Sequence, residues 1–222
     1  MAYTANMVTG SEIQRLRLYN QHLAGTRFKK PEAAVQGLVA VQAQDYAAAK
    51  WAVAQRTADA TDAGIDRALA AGTILRTHVL RPTWHFVAAP DIRWMLELTA
   101  PRINALSAYY YRKTGLDDGV FLKSNAALKK ALQGGRQLTR AELGSVLQKA
   151  RISKSTDDPL RLVYLVMRAE LDMVICSGAR RGKQFTYALF DERVPEPAGL
   201  SRDEALSELV RRFFTSRGPA TL

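Results

Sequence analysis

The chain has 222 residues, 47% of them hydrophobic, and its 32 Lys+Arg against 21 Asp+Glu give a formal net charge of +11. This size and apolar content predict a folded chain with a buried core, and the basic surplus points to an anionic partner, nucleic acid first. A lone cysteine, Cys176, excludes an internal disulfide, three scattered histidines offer no zinc spacing, and no run approaches the roughly 18 apolar residues of a membrane span.

In chain order, Ser11 to Leu23 has apolar residues at helical spacing, with Ser11 placed to cap the helix and Gly25 to stop it. Pro31 fits the first turn of a second helix reaching about Val39, and Asp45 is placed as the N-cap of a third, YAAAKWAVAQR. A further helix over Asp62 to Ala71 ends at Gly72. After it, TILRTHVL and TWHFVA read as a two-stranded hairpin around Arg81-Pro82. Helices followed by a hairpin suggest a winged helix.

From Pro90-Asp91 the chain reads as a long helix with a bend at Pro101, ending in a loop over Gly115 to Gly119. A second unit follows. It has a helix over Ser124 to Leu132, a helix opened by the capping-box pair Thr139 and Glu142, the helix DPLRLVYLVMRAELD, and two strands in MVICSGARRGKQFTYALF. PEPAG reads as a linker, and Ser201 to Arg217 as an amphipathic helix with Leu206, Leu209, Val210 and Phe213 along one face. The expectation is a mainly α fold with small β-hairpins, in tandem winged-helix units. These cover 1–115 with the following helix, 116–194, and 195–222 as a linker and the start of a third unit cut short.

The run VAVQAQDY holds two glutamines one residue apart. In a helix that spacing would point Gln42 and Gln44 about 200° from each other, whereas extended backbone puts both on one side. Asp45 as an N-cap favours extension just before it, so both amides can face one cavity and hold a water or read a base edge. The other reading has them satisfying backbone groups at a helix junction. Asp45 itself could serve as a base, with capping its competing role. In the hairpin, alternation places His85 on one strand face as a cleft-lining candidate or a buried, satisfied ring. Trp51 and Trp84 read as packing residues, and Cys176 as a buried inert thiol. Two basic clusters are candidate phosphate contacts: Arg27, Lys29 and Lys30 ahead of Pro31, and Arg180, Arg181 and Lys183 in a Gly-bounded loop, a solvated hairpin tip being the alternative.

GLVAVQAQDYAAAKWAVAQR, RTHVLRPTWHFVAAPDIRWML and RFFTSRGPATL together resemble the AlkZ-like winged-helix DNA glycosylases, over essentially the whole chain. The resemblance implies tandem winged helices cradling DNA, excision of alkylated bases or unhooking of crosslinks, and a catalytic pair at Gln42 and Gln44. It implies alkylated double-stranded DNA as partner; no cofactor, metal, membrane or obligate protein partner is expected. A cytoplasmic location is expected, because the N-terminus lacks a basic segment leading into a long apolar one. The competing expectation is a winged-helix DNA-binding protein, such as a transcriptional regulator, without chemistry.

Overall fold

The computed structural model describes residues 9–154, 157–194, 196 and 199–220; the expected linker at Pro195 to Gly199 therefore lies mostly outside the described residues. Helix α1 (Gly10–Asn20) is capped by Thr9, not Ser11. Thr9 accepts from the Glu12 amide and Glu12 reaches back to the Thr9 amide at 2.8 Å, a reciprocal capping box two residues earlier than the sequence suggested. The helix also stops before Leu23: His22 takes a positive φ of 55° and its amide turns back to the Tyr19 carbonyl. None of α1's residues is buried.

Next come α2 (Pro31–Gly37), strand β1 (Val41–Gln42), α3 (Tyr46–Ala54) and α4 (Asp62–Ala71), with Gly72 in the left-handed conformation closing α4 as expected. Strands β2 (Ile74–His78) and β3 (Trp84–Ala88) form the predicted antiparallel hairpin, and β1 adds to its far side in the order β1-β3-β2. The long helix α5 (Ile92–Lys113) carries Pro101 within it. Helix α6 (Asp118–Leu132) starts earlier than predicted, because Asp117 accepts from the Val120 amide and draws Gly119 into the first turn.

Strand β4 (Leu138–Thr139), α7 (Arg140–Lys149), α8 (Pro159–Leu171), β5 (Ile175–Ser177) and β6 (Thr186–Leu189) complete a second set, with sheet order β4-β6-β5. A short α9 (Phe190–Arg193) precedes the C-terminal α10 (Arg202–Arg217), which Ser201 and Glu204 cap reciprocally. Both sets run helix, strand, helix, helix, strand, strand, so the protein is mainly helical with two small antiparallel sheets. None of its described helices is long and apolar enough to cross a membrane.

One apolar core crosses the expected boundary at 115–116. It joins Leu75, Val87, Met95 and Ile103 to Leu143, Leu165, Ile175 and Phe190. A smaller core, with Val35, Val41, Ala43, Val53, Ile65, Ile74 and Phe86, lies on the other face of the first sheet. Each such large side chain contributes about 1.5–3 kcal/mol of burial. Of the face predicted for α10, Leu209 packs against the core but Leu206, Val210 and Phe213 are exposed, while Ala205 and Ser216 are buried. Arg212 is what anchors it, pairing with buried Asp91 at 2.7 Å.

Candidate functional site

The glutamine pair sits where α2 gives way to the first sheet. Val39, at a φ of 70°, turns the chain out of the helix, and Val41 and Gln42 then pair antiparallel with Phe86 and His85. Burial alternates from Val41 to Gln44, with Val41 and Ala43 buried and Gln42 and Gln44 exposed. The chain is paired as a strand only through Gln42 and bends at Gln44, and both amides are exposed on either side of a buried Ala43. Ala43 donates to the Trp84 carbonyl at 2.7 Å, after which the ladder opens. The Trp84 amide turns to Gln44 Oε1 in a long 3.4 Å contact, while the Ala43 carbonyl accepts from Arg76 Nε at 3.1 Å. Asp45 caps α3 by accepting from the Ala48 amide at 3.0 Å, so its carboxylate has the structural task.

His85 stands beside Gln42 across β1 and β3, and Thr77 stands beside His85 across β3 and β2. Since the Ala43 amide bonds to Trp84, Gln42 and His85 form the closer, non-hydrogen-bonded kind of cross-strand pair, with Cα atoms about 4.5 Å apart. His85 Nδ1 lies 2.9 Å from the Thr83 carbonyl, which can only accept, so the neutral ring carries its proton there and leaves Nε2 as an acceptor. Burial pushes the ring down to about 4, helped by Arg81 and His78 nearby and opposed by the bond to Thr83. Beside it, Thr77 Oγ1 is buried with no partner among the described residues.

A histidine held at about 4 from an ordinary 6.5 leaves a signature in stability. Between these values the unfolded chain binds the proton and the folded one does not. The contribution of the neutral ring is therefore complete above pH 6.5 and is lost as pH falls toward 4, by roughly 3 kcal/mol in all. Urea midpoints measured across that window should fall in the wild type, and fall less in His85→Asn; parallel curves would contradict the assignment.

Arg76 is the residue that sequence reading missed. Its guanidinium is buried between the Trp84 and Phe185 rings, at 4.2 and 4.4 Å, and holds the peptide between the two glutamines. Its backbone amide donates to Ser177 Oγ at 2.8 Å, tying the first sheet to β5. The available signal was a charged residue inside the apolar strand TILRTHVL. Trp84 packs as expected, but Trp51 does not: it is 67% exposed. The inward face of α3 is taken by Ala49, Val53 and Lys50, whose ammonium pairs with Asp62 and Asp66 at 2.6 and 2.9 Å, so Trp51 points outward. Cys176 is fully buried and its thiol is pushed up to about 12 by that burial, which makes it inert.

The basic candidates divide. Arg27, Lys29 and Lys30 are exposed ahead of α2. In the loop between β5 and β6, Arg181 is already engaged, donating to Glu142 Oε1 and the Gln137 carbonyl, each at 2.8 Å. Glu142 is held down to about 2 by the Thr139 amide first and by Arg181 next. Arg181 thus braces the loop, and Arg180 and Lys183 are its other exposed cations. Arg180 donates to the Lys183 carbonyl at 3.1 Å and lies over the Tyr46 and Phe185 rings.

Comparison with known proteins accords with this architecture. A curated interstrand DNA cross-link repair glycosylase of Streptomyces sahachiroi is 26% identical over 93% of this chain and 56% of its own length. The solved Streptomyces sahachiroi DNA glycosylase AlkZ matches the fold with a TM-score of 0.77 at 24% identity, over 93% of this chain and 56% of that one. The chain thus spans a little over half the length of these relatives. The family model described as DNA glycosylase AlkZ-like matches residues 35–222, a stretch that holds both glutamines and both sheets, and the chain belongs to that family.

Proposed function

We propose that the protein is a monofunctional DNA glycosylase that hydrolyses the N-glycosidic bond of cationic alkylated purines, crosslinked ones included, in cytoplasmic DNA. The observation that carries this reading is that Gln42 and Gln44 are both exposed while the Ala43 between them is buried, which favours both amides facing the same side. Each set of elements reads as a winged helix, since both share one strand and helix order and one sheet order. The division into units at 1–115, 116–194 and 195–222 is part of this reading.

A purine alkylated at N7 or N3 already carries the positive charge that makes it a good leaving group, so its departure needs no general acid. As the C–N bond breaks, its electron pair neutralises the base, and positive charge develops on the sugar. Amide oxygens of Gln42 and Gln44 orient the attacking water and place partial negative charge beside that sugar. The water oxygen bonds the anomeric carbon and its proton passes to solvent. Neither amide is a base at neutral pH, so unmodified nucleotides are left intact. Lys50, the lysine nearest the motif in sequence, is buried on Asp62 and Asp66, which disfavours a covalent sugar intermediate.

A second reading, a DNA-binding module without chemistry, is favoured by the Gln44 contact to the Trp84 amide, which gives that side chain a structural use. Incubation with duplex DNA methylated at guanine N7 separates the two. The glycosylase reading expects free 7-methylguanine, an uncut strand and no borohydride-trapped adduct. Binding without base release would favour the second reading.

A further inference from the structure

A cavity of about 410 Å³ lies between α4 and the loop joining β5 to β6, lined among others by Tyr46, Asp66, Arg67, Arg76, Arg180 and Phe185. We propose that it is a subsite for one unstacked nucleotide of DNA, the base lying against Phe185 and Tyr46 and its phosphates on Arg67 and Arg180. This rests on the reading of the protein as one that acts on DNA, and adds to it a second nucleotide contact apart from the glutamine pair.

The volume lies within the range of about 300–1,000 Å³ typical of small-ligand sites. Tyr46 and Phe185 meet edge to face, with centroids 5.1 Å apart at 75°, and so form a corner with one flat wall from each set of elements. The exposed Arg180 guanidinium lies 4.8 and 5.2 Å from these ring centres, so a planar group already occupies the corner. A base can take that place and release Arg180 toward its phosphate, since every base has a π-face and aromatic platforms accept it without regard to sequence. The one carboxylate of the wall does not oppose an anion. Asp66 is bonded by the Tyr46 hydroxyl at 2.8 Å and the Lys50 ammonium at 2.9 Å, leaving three arginines to set the sign of the pocket.

Arg76 connects this pocket to the candidate site, since it lines the cavity while donating to the Ala43 carbonyl. Neither Gln42 nor Gln44 lines it. The occupant is therefore a nucleotide other than the one under attack, displaced from the stack beside or opposite it.

The test is equilibrium binding of unalkylated duplexes that carry 2-aminopurine, either in a one-nucleotide bulge or fully paired. The wild type should bind the bulged duplex more tightly, by roughly five- to a hundredfold, and quench its fluorescence. Phe185→Leu should lose that preference, and so should Arg180→Gln, whose exposed position spares the fold. Gln44→Ala should keep it. An equal affinity of the wild type for both duplexes would overturn the proposal. So would a preference surviving in both pocket variants, or one lost only with Gln44. Because the duplexes are unalkylated, failure of base release leaves this readout intact, and the two readings fall separately.

Discussion

Replacing His78 with alanine should lower the stability of the protein by about 1–3 kcal/mol, the range for leaving a buried polar group without its hydrogen-bond partner. His78 ends β2 and its Nδ1 bonds Glu170 Oε2 on α8; Glu170 is fully buried and His78 nearly so. The second carboxylate oxygen, Oε1, has no partner among the described residues, so His78 is the contact that satisfies this side chain. Its loss leaves the Glu170 side chain without a partner inside the core shared by the two sets of elements. Urea unfolding of His78→Ala measures the loss directly, and the double change His78→Leu with Glu170→Met should restore much of it, as apolar replacements of buried pairs do. A loss below about 1 kcal/mol would mean that Glu170 is satisfied without His78. The pair bears on function because β2 also carries Arg76, which holds the peptide between the glutamines.

Much of this architecture was legible before any coordinates. Asp45 as a cap, the extended backbone ahead of it, the Asp62–Ala71 helix closed by Gly72, and both hairpins follow from local rules, because caps, turn glycines and alternation act over a few residues. What escaped is what distant parts of the chain decide. Strands β1 and β4 have two residues each, too short for any periodic signal, and exist because β3 and β6 offer them an edge. Part of the stripe on α10 was misjudged for the same reason: with Arg212 paired to Asp91 and Ala205 buried, Leu209 turns inward and Leu206, Val210 and Phe213 do not. Trp51 went the other way because Lys50, with its two carboxylate partners, claims the inside of α3.

At the site, the spacing of Gln42 and Gln44 raised the expectation that they share a side if the backbone is extended; the strand runs through Gln42, and both glutamines are exposed around a buried Ala43. The neighbours were not legible. His85 lies opposite Gln42 only through the register of β1 on β3, and Arg76 reaches Ala43 only across the folded sheet. Arg181 was legible as a loop cation, but its bonds to Glu142 and Gln137 depend on how the loop folds back over α7.

The central claim is that two uncharged amides, Gln42 at the end of β1 and Gln44 just beyond it, orient the attacking water. Removing one such preorganised group typically costs 10²- to 10³-fold in the chemical step. Both side chains are exposed, and the contact that Gln44→Ala removes is the long 3.4 Å bond from the Trp84 amide, so neither substitution should disturb folding. The most direct measurement is single-turnover release of 7-methylguanine from methylated duplex DNA by the wild type, Gln42→Ala and Gln44→Ala, with DNA affinity measured on the same samples. The account predicts that each variant binds within about threefold of the wild type and releases base at least roughly a hundredfold more slowly. Release at the wild-type rate by either variant, with binding intact, would contradict it.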